Sequence, residues 1–118
     1  MELIYKDKKT KEKCTNIKKA KKEFDIKVVE KLFGTIYFLQ NAKNLQDIAN
    51  VPSFHLHQLK GDKKGSYSIY LGKVLGYRLI IKPLDDNKEE IKNHDDLSLI
   101  YKSTKIVLIW EVSNHYDD

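Results

Sequence analysis

Between His55 and Arg78 the chain gathers two histidines, four lysines and its one arginine within 24 residues. These residue types suit a phosphate ester. Histidine takes up and gives back a proton near neutral pH. Lysine brings a point charge, and arginine a planar fork that holds phosphate oxygens in two places and keeps its proton. The lysine-rich, arginine-poor composition is also what an AT-rich genome produces, so the rarity of Arg78 weighs less than its position. An RNA phosphodiester can be cut without a metal when the adjacent 2′-hydroxyl attacks. The reaction then needs a base for that hydroxyl, cations for the phosphate as its charge builds, and an acid for the leaving oxygen. The residues suited to those tasks are His57, Lys60, Arg78, His115 and Tyr116, drawn from three expected strands. Lys63, Lys64, Lys73 and Lys82 extend the cationic surface along which an RNA backbone would bind. His55 and His57 fall on one face, but no carboxylate or third ligand is grouped with them, so neither a metal nor any other cofactor is expected.

The elements that must position these residues follow from the apolar pattern. Glu2 to Lys6 reads as a short opening strand. Lys8 to Glu23 is polar, with a weak helical repeat of Ile17, Ala20 and Phe24 and a cap at Thr15 or Asn16. Asp25 caps a stronger helix from Ile26 to about Ala42, whose Val29, Phe33, Ile36 and Tyr37 share a face. Gly34 inside it costs about 1 kcal/mol relative to alanine, which predicts a weak point or kink. Leu45 to Ala49 forms a last short turn before Val51-Pro52. After Pro52 the period becomes two, with His55, His57 and Leu59 alternating against Phe54, Leu56 and Gln58. Gly61 to Gly65 is a turn. Ser66 to Leu71 follows as a strand, with Tyr67, Ile69 and Leu71 opposite Ser66, Ser68 and Tyr70. Gly72 to Gly76 closes a hairpin. In Tyr77 to Lys82, Arg78, Ile80 and Lys82 face away from Tyr77, Leu79 and Ile81. Leu84 to Ser103 is an acidic connection with some helix around Glu89 to Lys92, and Thr104 to about Asn114 is a final strand covered on both faces.

Helices first and strands afterwards give an α+β fold: two N-terminal helices packed on a twisted, mainly antiparallel sheet. The remaining face of the sheet is then where Arg78, Lys82 and the last strand meet. A chain of 118 residues forms a single domain over 1–118. At 41% hydrophobic and 33% charged residues it is globular. No apolar run reaches the ~20 residues of a membrane span. The first residues lack the pattern of a signal peptide, and Cys14, in a segment that reads as surface, has no second cysteine to pair with; both point to the cytoplasm. Residues 6 to 31 hold eleven lysines against five acids, while residues 85 to 96 hold six acids against Lys88 and Lys92. That asymmetry suits a phosphate-bearing partner and a protein partner.

The segment His57-Gln58-Leu59-Lys60-Gly61-Asp62-Lys63-Lys64-Gly65-Ser66-Tyr67-Ser68-Ile69 resembles the His-x-Leu-Lys-Gly-Asp-x-x-Gly-x-(Trp/Tyr)-Ser-Ile run of RelE/ParE-superfamily toxins, above all the HigB branch. Gly76-Tyr77-Arg78-Leu79 resembles that branch's aromatic-Arg-Ile strand, and Glu111 to Tyr116 its Glu-Ile-x-Asp-Tyr-His ending. The resemblance implies the toxin of a type II toxin-antitoxin system, a ribosome-dependent mRNA endoribonuclease that arrests translation. It implies His57 and Lys60 at the 2′-hydroxyl and phosphate, Arg78 as phosphate clamp, and the C-terminal pair in proton transfer or base stacking. His115-Tyr116 stands here where the family reads Tyr-His, and the longer hairpin leaves Lys73 in place of a loop arginine. The implied partners are a HigA-like helix-turn-helix antitoxin, the ribosome and its mRNA, with operator DNA met only through the antitoxin complex and no membrane. The alternative is a toxin-fold protein without nuclease activity, such as a ParE-like gyrase inhibitor. A general RNA-binding domain fits less well, because the sequence shows no interleaved aromatic platform.

Overall fold

In a computed structural model of the chain, which describes residues 1–72 and 75–114, a five-stranded sheet is packed on one face by helices. The strands are β1 (Glu2–Tyr5), β2 (His57–Gln58), β3 (Tyr67–Tyr70), β4 (Arg78–Leu84) and β5 (Ile106–Ser113), in the order β1-β5-β4-β3-β2. β1 lies parallel to β5, and the other three pairings are antiparallel. The helices are α1 (Lys8–Thr15), α2 (Ile17–Glu23), α3 (Ile26–Asn41), α4 (Leu45–Ala49) and α5 (Leu97–Ser103).

The core sits between α3 and the inner face of the sheet. Val28, Val29, Leu32, Ile36 and Leu39 from the helix join Tyr67, Ile69, Leu79, Ile81, Val107 and Ile109 from the strands in one buried cluster. Alternation along β3 and β4 therefore runs as the apolar pattern predicts, with Ser68, Tyr70, Arg78 and Lys82 on the outer face. Asp25 caps α3, its carboxylate accepting from the Lys27 amide at 2.9 Å. α3 continues as helix through Gly34, where a Cβ would meet open space, so the expected weak point leaves no break.

Several expectations are corrected. The polar stretch Lys8 to Glu23 is two helices, not one, because Asn16 takes an extended conformation that ends α1 and caps α2 through the Lys19 amide. Asp7 caps α1 by accepting from the Thr10 amide at 2.7 Å, and that bond lowers its carboxyl below the usual range. The acidic connection is not helical around Glu89 to Lys92; Glu90 bridges to Leu84, and the helix starts at Leu97 behind an Asp96 cap. The alternation after Pro52 shrinks to the two residues of β2, since Pro52–Phe54 turn as a 3₁₀ helix and His55 is left-handed.

Cys14 is a further correction. It is core, not surface, at 2% exposed, because Thr10 and Cys14 are one helical turn apart on the buried side of α1. Burial pushes its thiol up to about 12, opposed only by Lys13. Tyr5 is likewise pushed up to about 12, first by burial and then by Cys14. A group whose pKa is raised on folding contributes stability that is complete below its unfolded value and is lost as pH rises through the folded one. Denaturant midpoints should therefore hold steady up to about pH 8.5, where an unfolded thiol begins to ionise, and fall above it. A thiol reagent at pH 8 should label Cys14 only in the unfolded chain; rapid labelling of the native protein would contradict its burial.

Candidate active site

The outer face of the sheet carries the chemistry, and a register shift sets its composition. Ile81 of β4 pairs with Ile109, but Ile80 pairs with Glu111, leaving Trp110 as the extra residue of a bulge. Beyond the bulge Glu111 and Ser113 pair with Ile80 and Arg78, while Val112 pairs with Leu79 and turns toward the core. Uninterrupted alternation from Ile109 would have placed Glu111 and Ser113 inward. One inserted residue thus reverses the end of β5.

Four side chains stack across the other end of this face. The Arg78 guanidinium lies 3.9 Å from the Tyr70 ring centroid, directly across the β3–β4 pairing. Tyr70 is 4.6 Å from the His55 ring, and His55 is 4.7 Å from the His57 ring. Arg78 also donates from Nη1 to the Tyr77 carbonyl at 3.1 Å. A guanidinium held over an aromatic ring loses less freedom when a phosphate arrives, which lowers the entropy cost of binding.

His57 is held in one tautomer. Its Nδ1 lies 2.7 Å from the His55 carbonyl oxygen, which can only accept, so Nδ1 carries the proton. Nε2 is then the acceptor of the neutral ring, the atom that a general base uses. The bond forms across a left-handed turn, since His55 has φ 46° and ψ 48°. A residue other than glycine holds that conformation at a cost of about 1–3 kcal/mol, and such strain collects at functional sites. Replacing His55 by glycine relieves the strain, keeps the carbonyl and deletes the ring. His55→Gly should leave stability within about 1 kcal/mol of the parent chain. Calorimetry of the purified variant checks this.

The other expected residues are scattered. Lys60 is exposed at the head of the 3₁₀ turn Gly61–Lys63, three residues beyond His57. Lys63 and Lys64 are exposed in or just after that turn, Lys64 standing 3.9 Å from Asp95. Lys82 is on the outer face, 4.0 Å from the Trp110 ring and 3.4 Å from Glu90. Lys6 approaches the same indole at 4.7 Å. Lys73, His115 and Tyr116 lie outside the described residues. Among the described residues no group of three His, Cys, Asp or Glu side chains is placed to hold a metal ion. No helix there is long and apolar enough to cross a membrane.

Two residues near this face gave no signal in the sequence. Tyr70 was legible only as the outward residue of a strand, and its role as the plate beneath Arg78 needs the β3–β4 register. His94 is 5% exposed; its Nε2 donates to the Ile91 carbonyl at 2.6 Å and its Nδ1 accepts from the Tyr67 hydroxyl at 2.9 Å. It anchors the acidic connection to β3.

No protein-family model matches the chain, and no curated protein matches it. Among solved structures it is similar to a YoeB/ParE toxin from Agrobacterium tumefaciens, at 14% identity and a TM-score of 0.53, over 98% of this chain and 100% of that one. The fold is RelE/ParE-like. At this identity the likeness extends to the fold, and it covers the sheet, its helical layer and the outer face together. Within that RelE/ParE-like frame His57, Tyr70 and Arg78 come from three adjacent strands, and the sheet pairing alone brings them together.

Proposed function

We propose that this chain is the toxin of a type II toxin-antitoxin system and acts as a ribosome-dependent mRNA endoribonuclease of HigB type. The observation that carries the reading is His57, held with Nε2 as acceptor, on the same sheet face as the Arg78 guanidinium over the Tyr70 ring. Gyrase inhibition calls for no such pairing of proton acceptor and anion clamp.

In the proposed reaction His57 Nε2 removes the proton of a 2′-hydroxyl, and the oxygen attacks the adjacent phosphorus. A 2′,3′-cyclic phosphate forms as the bond from phosphorus to the 5′-oxygen breaks, and that oxygen leaves as a protonated hydroxyl. Arg78 and Lys60 hold the phosphate oxygens as their charge increases. His115 and Tyr116 supply the proton or stack on a base, and Lys63, Lys64, Lys73 and Lys82 hold the flanking backbone. The route requires no metal. The lysine-rich α1 and α2, with eight lysines between residues 8 and 22, suit a phosphate-rich ribosomal surface. A HigA-like antitoxin neutralises the toxin and carries the complex to operator DNA, and the setting is the cytoplasm.

Inducing the chain in a bacterial host and mapping mRNA 5′ ends by primer extension tests this directly. New ends should appear within coding regions, and purified protein should cut mRNA only with ribosomes present. Growth arrest with DNA damage and no new mRNA ends would favour the ParE-like, gyrase-directed alternative suggested by the double name of the structural neighbour.

A further inference from the structure

Beside the stacked face, on the far side of Tyr70, lies a cavity of about 510 Å³ between α3 and the turn that leads into β2. It exists because β2 begins only at His57, so Tyr70 at the end of β3 is paired with β4 but has no strand on its β2 side, and its ring becomes a wall. His55 and Phe54 form further aromatic walls, Phe54 being braced edge-on by Phe38 at 5.1 Å. Thr35, 5% exposed, adds a hydroxyl that donates to the Lys31 carbonyl at 2.7 Å and keeps its oxygen as an acceptor. The Lys31 ammonium belongs to an exposed residue at the rim, its stem passing Gly72, where a Cβ would lie 3.7 Å from Lys31 Cγ.

We propose that this cavity receives the base of a nucleotide adjoining the scissile phosphate and so contributes to the choice of cleavage site. The inference rests on the RNA-cleaving reading above. Flat aromatic walls, one buried hydroxyl and one rim cation are what an unstacked base with its phosphate requires. The volume falls in the range of small-ligand sites and suits a single base with its sugar. Tyr70 is the wall common to both sites, 3.9 Å from the Arg78 guanidinium and 4.6 Å from His55. A phosphate on Arg78 therefore stands one nucleotide's reach from the cavity mouth. The left-handed turn at His55 acquires a second use here, since it sets one ring between the two sites.

The test uses the purified full chain and a 2′-O-methylated hexanucleotide, which binds but cannot be cut, followed by fluorescence anisotropy. A series of hexanucleotides with one abasic position moved along the strand locates the base that matters. Phe54→Ala removes a wall, and Ser53→Trp fills the mouth from an exposed rim position that the fold does not depend on. Each should weaken binding roughly tenfold, the scale of one lost base–aromatic stack. One abasic oligonucleotide should bind the parent chain equally weakly, and neither variant should weaken that oligonucleotide further. Folded variants that bind every oligonucleotide within about twofold of the parent would overturn the cavity's role, while Arg78-dependent binding kept the RNA reading intact. If the parent chain shows no Arg78-dependent affinity for any of these oligonucleotides, alone or with ribosomes added, the RNA reading fails, and this inference fails with it.

Discussion

Arg78→Ala should abolish translation arrest while leaving the domain folded. The side chain is half-buried on the outer face, and its contacts there include the Tyr70 ring and a hydrogen bond to the neighbouring Tyr77 carbonyl. Losing them costs about 1 kcal/mol of stability, a few degrees in melting temperature for a chain of this size. The loss in rate is far larger. A donor aimed at charge that develops in the transition state is worth about 10²–10³ in rate, and a guanidinium that grips two oxygens lies at the upper end. Arg78→Lys keeps the charge but neither the fork nor the flat stack, so it should recover only a small part of the activity. Ribosome-dependent cleavage of a defined mRNA, read beside circular dichroism, measures both effects. A folded Arg78→Ala protein that arrested growth as strongly as the parent would remove the phosphate clamp from the mechanism.

Loss of His94 should be the most damaging single change to stability outside the apolar core. Tyr67 is fully buried, and the His94 ring is the partner of its hydroxyl. Burial, and then Tyr101, raise the Tyr67 phenol well above its ordinary value, so it remains a donor throughout the physiological range. His94→Ala strands that hydroxyl, leaves the Ile91 carbonyl without the imidazole N–H, and opens a cavity where the ring stood. An unsatisfied buried polar group costs about 1–3 kcal/mol and the cavity adds to it. The sum, about 3–4 kcal/mol, corresponds to a fall of roughly 12–16 °C in melting temperature. Tyr67→Phe should offset part of that loss when combined with His94→Ala, because the stranded hydroxyl is then gone. A double-mutant cycle by thermal unfolding reads the coupling directly, and strictly additive losses would show that the two rings do not depend on each other.

In the proposed reaction, cleavage chemistry and stability fall to different histidines. His57 meets the outer face with its tautomer set by a backbone carbonyl, while His94 is enclosed between the acidic connection and β3. The two are linked through β3, whose Ser68 pairs with His57 and whose adjacent Tyr67 bonds His94 on the opposite face. The strand therefore ties the position of the candidate base to the anchoring of the loop.

The residues themselves determined much of this arrangement. The apolar spacing of Val29 and Ile36 marks a helix with one buried face, and Asp25 before it states where that helix begins, although Tyr37, expected on that face, is 69% exposed while Leu32 and Leu39 lie inside. The alternation Tyr67-Ser68-Ile69-Tyr70 and Arg78-Leu79-Ile80-Ile81 settles which side chains point outward, because a strand's period of two is local geometry. Arg78 and Tyr70 each point outward by that alternation, and only the β3–β4 pairing sets them side by side. What required the tertiary structure is everything that depends on register or on contact between distant segments. The bulge at Trp110 turns Glu111 and Ser113 outward through a mismatch between β4 and β5 that neither strand reveals alone. Cys14 is buried because the sheet lies against α1, although its neighbours in sequence are lysines. His55 turns left-handed at the end of a 3₁₀ helix and so carries its carbonyl to His57, and His94 finds Tyr67 across 27 residues. Local periodicity follows from bond geometry that the chain carries with it; registers, bulges and tautomers follow from partners that only folding brings together.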